Sequence, residues 1–119
     1  MKSLLIFAIG LLIQSASAAT YYVATTGSDA AAGTIGAPWL TIQKAANTLT
    51  AGNDVIVAAG NYPEHVTTAA AGTAGNRITF TASGTVTMRG FTVNHAYTTI
   101  SGFTVDQHSD VSTPDNAAV

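Results

Sequence analysis

The sequence contains no cysteine, so disulfides, thiolate metal sites and a thiol for lipid attachment are all excluded. Charge is nearly as scarce: four Lys and Arg, six Asp and Glu, together 8% of 119 residues. No basic patch exists to hold a phosphate backbone, which removes nucleic acid from the expected partners. Asn-Gly and Asp-Gly occur nowhere in the chain, so the strongest short hairpin signals of an antiparallel sandwich are missing. Beyond residue 19 leucine is confined to Leu40 and Leu49, too few for a leucine-rich repeat. Stability must therefore come from repetitive backbone hydrogen bonding and from packing of a small apolar core.

The one long apolar run lies at the start. Lys2 is followed by an apolar stretch from Leu4 to Ile13 and then by Gln14-Ser15-Ala16-Ser17-Ala18. This is the charge, apolar core and small-residue cleavage pattern of a secretory signal peptide. The run is too short to cross a bilayer as a helix, which needs about 20 residues. We expect residues 1–18 to be a signal peptide cleaved after Ala18, and residues 19–119 to be secreted with no membrane span. Loss of Lys2 takes the formal charge from −2 to −3.

Tyr21-Tyr22-Val23-Ala24 is a short β-prone run. Thr26-Gly27-Ser28-Asp29 and Gly33-Thr34-Ile35-Gly36-Ala37-Pro38 follow with turn chemistry, and the flanking Tyr22 and Trp39 suggest an anchored loop. Ile42, Ala45, Ala46 and Leu49 fall at i, i+3, i+4 and i+7, predicting a helix over about 41–49. Thr41 is the expected N-cap and Gly52 the expected left-handed C-terminal cap. Lys44 stands where a capping box would have Glu or Gln, so that box is incomplete.

After Gly52 the chain becomes short β-prone runs: 54–58, 77–82, 85–88, 91–93 and 97–105. Ile56, Ile78 and Ile100 recur at one constant interval, about 22 residues, which lies in the range of solenoid repeats. Val66 and Met88 share that spacing, and Gly60, Ala82 and Thr104 repeat it with small residues. Gly90-Phe91-Thr92-Val93 is echoed by Gly102-Phe103-Thr104-Val105 after roughly half that interval, a spacing suited to two sides of one coil. The pattern predicts an all-β solenoid with rungs from about residue 54, the three Ile stacked inward and the helix covering one end.

Tyr21-Tyr22-Val23, Thr26-Gly27-Ser28-Asp29, Gly33-Thr34, Pro38-Trp39 and Thr41-Ile42-Gln43-Lys44-Ala45 resemble the opening of pectate-lyase-like, right-handed parallel β-helix proteins. The resemblance continues through Ala51-Gly52-Asn53-Asp54-Val55-Ile56-Val57, Gly60-Asn61-Tyr62, Glu64 and Ile100-Ser101-Gly102-Phe103. It implies an all-β, right-handed parallel β-helix of about three rungs with a short N-terminal capping helix. Asn53-Asp54 departs from the Asp and small polar residue of many relatives, and Asn61 replaces their frequent Thr. The resemblance also implies a polysaccharide partner and, in relatives that are lyases, a base assisted by calcium or by an Arg. Those lyase residues lie on rungs later than any present here, so no catalytic, cofactor or metal residue can be carried over to this sequence.

The residues themselves offer few candidates. Lys44, Arg77 and Arg89 are the cations beyond residue 19, each most simply a solvated surface side chain. Asp106-Gln107-His108-Ser109-Asp110 would place Asp106, His108 and Asp110 on one face if the preceding strand continued, with calcium the fitting ion. The loop-like Ser112-Thr113-Pro114-Asp115-Asn116 makes a polar turn the plainer reading. Glu64-His65 invites an acid–base role, but Pro63 beside it points to a corner between strands. Gly27-Ser28-Asp29 lacks the G-x-S-x-G frame of a nucleophile elbow, and no His or Cys metal spacing occurs.

A helix covers one end of such a solenoid and nothing obvious covers the other, so the expectation is the front of a longer solenoid or a truncated reading frame. Two functions follow: a polysaccharide lyase-like enzyme whose active site lies beyond Val119, or a non-catalytic secreted or surface β-helix such as an adhesin or carbohydrate-binding module.

Overall fold

A computed structural model describes residues 18–106. The expected signal peptide, apart from Ala18, and the segment from Gln107 onward lie outside the described residues. Four strands form one sheet in the order β1 (Thr20–Val23), β2 (Asp54–Thr67), β3 (Ile78–Thr92) and β4 (Thr98–Val105), and every pairing among them is parallel. One helix, α1 (Ile42–Thr48), lies between β1 and β2. Among the described residues no helix is long and apolar enough to cross a membrane.

Parallel neighbours normally need a crossover of about a dozen residues or more. Here only residues 93–97 separate β3 from β4, yet Ile78 pairs with Thr98. A straight strand as long as β3 would span roughly 50 Å, while the link from Thr92 to Thr98 reaches about 20 Å at most. β3 must therefore bend back on itself. The bends coincide with register shifts at Ala58/Gly60, Tyr62/His65 and Thr81/Val86, each the local kink expected where one strand carries extra residues. The expected separate runs 77–82, 85–88 and 91–93 are thus parts of a single bent strand, and the corner expected at Pro63-Glu64-His65 is a bulge within β2. The arrangement fits part of a parallel β-helix.

The register corrects the expected columns. Tyr21, Val55, Phe80 and Ile100 stand in one row, and Tyr22, Ile56, Thr81 and Ser101 in the next. Val55 and Val57 are fully buried while Ile56 is half-buried on the opposite face, as strand alternation requires. Ile56 pairs with Thr81, Ile78 with Thr98 and Ile100 with Phe80, so the expected Ile56, Ile78 and Ile100 column fails at both steps. Val66 pairs with Phe91, and Met88 pairs with Tyr62. Gly60 pairs with Val86 and Thr104 with Thr87, so the small-residue column fails as well.

The Gly-Phe-Thr-Val echo marks two similar corners. Gly90 and Gly102 both have positive φ, and the following Phe91 and Phe103 meet edge to face at 5.2 Å. Phe91 meets Phe80 in the same manner at 5.4 Å, a favourable aromatic geometry. Ile42, Ala45, Ala46 and Leu49 are buried with Val55, Val57, Tyr62, Val66, Ile78, Phe80, Val86 and Met88 in one core. The helix face expected from its spacing is the one that packs, chiefly on β2.

The cap region is held by side chains from far along the chain. Thr41 Oγ1 accepts the Lys44 N–H at 3.1 Å as the expected N-cap. In place of the missing capping box, Glu64 of β2 accepts the N–H groups of Ile42 and Gln43 at 2.8 and 3.0 Å. The C-cap is Leu49, not a glycine. Gly52 does take positive φ, but its N–H donates to Asn76 O across the sheet, because the chain has already left the helix. The 26–38 loop lies along the outer edge of β1 through Tyr22 N to Gly33 O and Trp39 N to Tyr22 O. Trp39 stacks on Tyr21 at 4.9 Å and covers Gly33, where a Cβ would lie 2.6 Å from the indole.

Candidate functional site: a groove across the strands

Two neighbouring clefts share Asn61, Tyr62 and Pro63 in their linings. The first, about 320 Å³, continues toward Thr25, Leu40, Thr41 and Glu64. The second, about 130 Å³, continues toward Thr87, Met88, Arg89 and Asp106. Asn61, Thr87 and Thr104 occupy one row of the sheet, as do Tyr62, Met88 and Val105. The groove therefore runs across the strands, from an apolar end at Leu40 to a polar end at Arg89.

Its floor is fixed. Tyr62 is buried, and its hydroxyl donates to Ala58 O at 2.7 Å. Burial, aided by the charge of Glu64, raises its pKa against the opposing hydrogen bond from the Thr25 backbone. The phenol is thus held protonated as a packing and anchoring group. Pro63 has no N–H to give a neighbouring strand, which suits its place at the bulge and leaves the rim open.

The expected candidates separate in space. Glu64 and His65 do not form an acid–base pair: both Glu64 oxygens are engaged by α1, while His65 Nε2 contacts Thr92 Oγ1 at 2.6 Å. Lys44 places its ammonium 5.8 Å over the Trp39 ring, and Arg77 lies beside Tyr97 with Nε donating to Thr99 Oγ1 at 2.9 Å. Arg89 alone of the three cations lines the groove, facing the same cleft as Asp106. The Asp106–Asp110 cluster is described only at Asp106, whose N–H donates to Met88 O at 2.7 Å; Gln107, His108, Ser109 and Asp110 lie outside the described residues. Among the described residues no three His, Cys, Asp or Glu side chains converge as metal ligands. The calcium implied by the resemblance finds no such donor set there.

Sequence reasoning missed the groove itself. Asn61 was visible only as a departure from the family pattern, and Thr87 and Met88 reach the cleft through register. Two long-range braces were also hidden. Gln43 pairs with the backbone of Thr67 through both ends of its amide, at 2.8 and 2.9 Å. Asp29 accepts from Leu40 N, Thr41 N and Thr41 Oγ1 at 2.8–2.9 Å. Burial would raise the Asp29 pKa, but the Thr41 hydroxyl, the Thr41 and Leu40 N–H groups and the charge of Lys44 outweigh it, and the net shift is downward.

The family model described as Protein of unknown function (DUF1565) matches residues 25–69, which span the cap loop, α1 and β2. None of the curated proteins matches the chain. A solved structure described as "The complex structure of XylC with xylose" is 42% identical over 57% of this chain, with a TM-score of 0.55. The match covers 11% of that protein's length, so the chain is similar to a small part of a much larger molecule.

Proposed function

We propose that this chain is an exported stretch of right-handed parallel β-helix, about three rungs under the α1 cap, that binds polysaccharide in a protein related to polysaccharide-processing enzymes. The observation carrying this reading is the 42% identity to part of a structure described as a complex with xylose. The groove supports it: an exposed amide at Asn61, the Thr87 hydroxyl and the Arg89 guanidinium lie beside apolar surface at Leu40 and Pro63. Sugars ask for that mixture, with polar groups for hydroxyls and apolar surface for the ring faces. Export is supported by Lys2, the Leu4–Ile13 run and Ala16–Ala18.

To the described residues we assign sugar binding and no catalytic step. Lys44 and Arg77 lie against aromatic rings outside the groove lining, Glu64 serves the helix, and Arg89 and Asp106, which share one cleft, are read as binding groups. Any pectate-lyase-like or other catalytic centre is, on this reading, outside the described residues. Xylo-oligosaccharide titration of the full chain by calorimetry tests the reading, alongside pectate and alginate oligomers. Binding weakened about fivefold or more by Asn61→Ala or Arg89→Ala supports it. No binding to any glycan, or binding indifferent to both changes, overturns it.

A further inference from the structure

Arg77 and Tyr97 occupy the same place on neighbouring strands, each just before the paired residues Ile78 and Thr98. Tyr97 is the only described non-glycine residue with positive φ, at 58°. That conformation is sterically disfavoured for a bulky residue. The turn demands it, since Ile78 N donates to Tyr97 O at 3.0 Å and a Cβ on Gly72 would lie 2.5 Å from the same oxygen. Glycine would serve the turn without strain. The aromatic ring is there nonetheless, and it stays 44% exposed, so core packing does not account for it.

The Arg77 guanidinium lies 5.7 Å from the centre of that ring. Its Nε donates to Thr99 Oγ1, and Thr99 is its hydrogen-bond partner among the described residues. Ring and hydroxyl together constrain the guanidinium of this exposed residue, and its terminal amino groups have no hydrogen-bond partner among the described residues. A fixed guanidinium fork matches the two oxygens of a carboxylate. Arg89 shares its cleft with Asp106 and Lys44 lies near Asp29. Arg77 is thus the described cation with no carboxylate among its contacts.

We propose that Arg77 and Tyr97 form a second binding site, for a carboxylate-bearing sugar residue of a glycan: the carboxylate pairs with the guanidinium while the sugar ring lies against the tyrosine. This rests on the glycan-binding reading above and adds a ligand class and a location to it.

The test compares glucuronic-acid-substituted xylan with the same polymer after carboxyl reduction, by affinity electrophoresis of the full chain. The expected result is retention roughly tenfold stronger on the acidic polymer, falling with salt as a charge contact should. Arg77→Gln should abolish that preference and leave binding to the reduced polymer unchanged, and Arg77→Lys should keep part of it. Tyr97→Gly should weaken retention on the acidic polymer without lowering the melting temperature, since glycine suits the backbone there. Equal retention of wild type on both polymers overturns the proposal, as does a preference that survives Arg77→Gln. If the reduced polymer alone is bound, through Asn61 and Arg89, the groove reading stands and this proposal fails. If neither polymer is bound, both fail.

Discussion

Glu64 in β2 and Ile42 at the start of α1 are far apart in sequence, yet the Glu64 carboxylate accepts the Ile42 N–H at 2.8 Å. Its other oxygen accepts Gln43 N–H at 3.0 Å, so one side chain satisfies two of the helix's four free donors. A helix as short as α1 is marginal by itself, and this contact ties it to the sheet. Glu64→Ala should destabilise the chain by about 2 kcal/mol, with Glu64→Gln roughly half as costly because one acceptor oxygen remains. Denaturant midpoints read by circular dichroism check both. Equal stability of Glu64→Ala and wild type would place the anchoring elsewhere, with Gln43 and Thr67.

The register makes a second expectation. Val57 is fully buried and Ile56, its neighbour, is half-buried on the outer face. Val57→Ala should cost about 1–3 kcal/mol, whereas Ile56→Thr should stay within about 0.5 kcal/mol of wild type. The reverse ranking would restore the inward Ile56 column and refute the pairing of Ile56 with Thr81. Chemical denaturation of the two variants in parallel is sufficient.

Those residues also show what the sequence made legible. The α1 face and its Thr41 cap were readable because helix periodicity and capping are local. The β-rich character beyond Gly52 and the Tyr22–Trp39 loop were readable because short β-prone runs alternate with turn residues. The register was not, because it depends on how many residues each bend absorbs. Asp54 pairs with Thr79, and Thr79 with Thr99, so the first step along the chain is longer than the second. The constant interval from Ile56 to Ile78 to Ile100 falls between the two and matches neither. Alternation along 54–58 would have put Val55 and Val57 on one face and Ile56 on the other. The groove was hidden for the same reason: the register shift between Ala58 and Gly60 sets Asn61 opposite Thr87, and Arg89 lies just beyond Thr87 on β3.

Export predicts a defined N-terminus. With Lys2, the apolar run to Ile13 and Ala16-Ser17-Ala18 read as a signal, the chain expressed with its leader should be recovered outside the cytoplasm beginning at Ala19. Intact-mass measurement and N-terminal sequencing decide the point. Ala18→Arg should block processing, because a bulky charged residue replaces the small one at the cleavage position. Material in the exported fraction that still begins at Met1 would contradict this reading.

The Asp29 carboxylate gives the chain a pH dependence whose sign follows from its contacts. Burial alone would favour the neutral acid, but the Thr41 hydroxyl, the Thr41 and Leu40 N–H groups and Lys44 favour the charged form, and the folded-state pKa falls below the ordinary aspartate value. An unfolded chain therefore takes up a proton here at a higher pH than the folded one. The stabilisation is fully present above about pH 4, where unfolded aspartate is ionised. It declines as pH falls through the lower, folded-state value. Asp29→Asn keeps the size of the side chain and removes its titration, so wild type should exceed the variant in stability at pH 7. That margin should hold down to about pH 4 and shrink below it. Urea midpoints for both proteins at pH 7, 5, 4 and 3 measure the margin directly. A margin that grew on acidification would mean that Asp29 is protonated in the folded state, and that the three hydrogen bonds at Leu40 and Thr41 do not hold the loop to the helix.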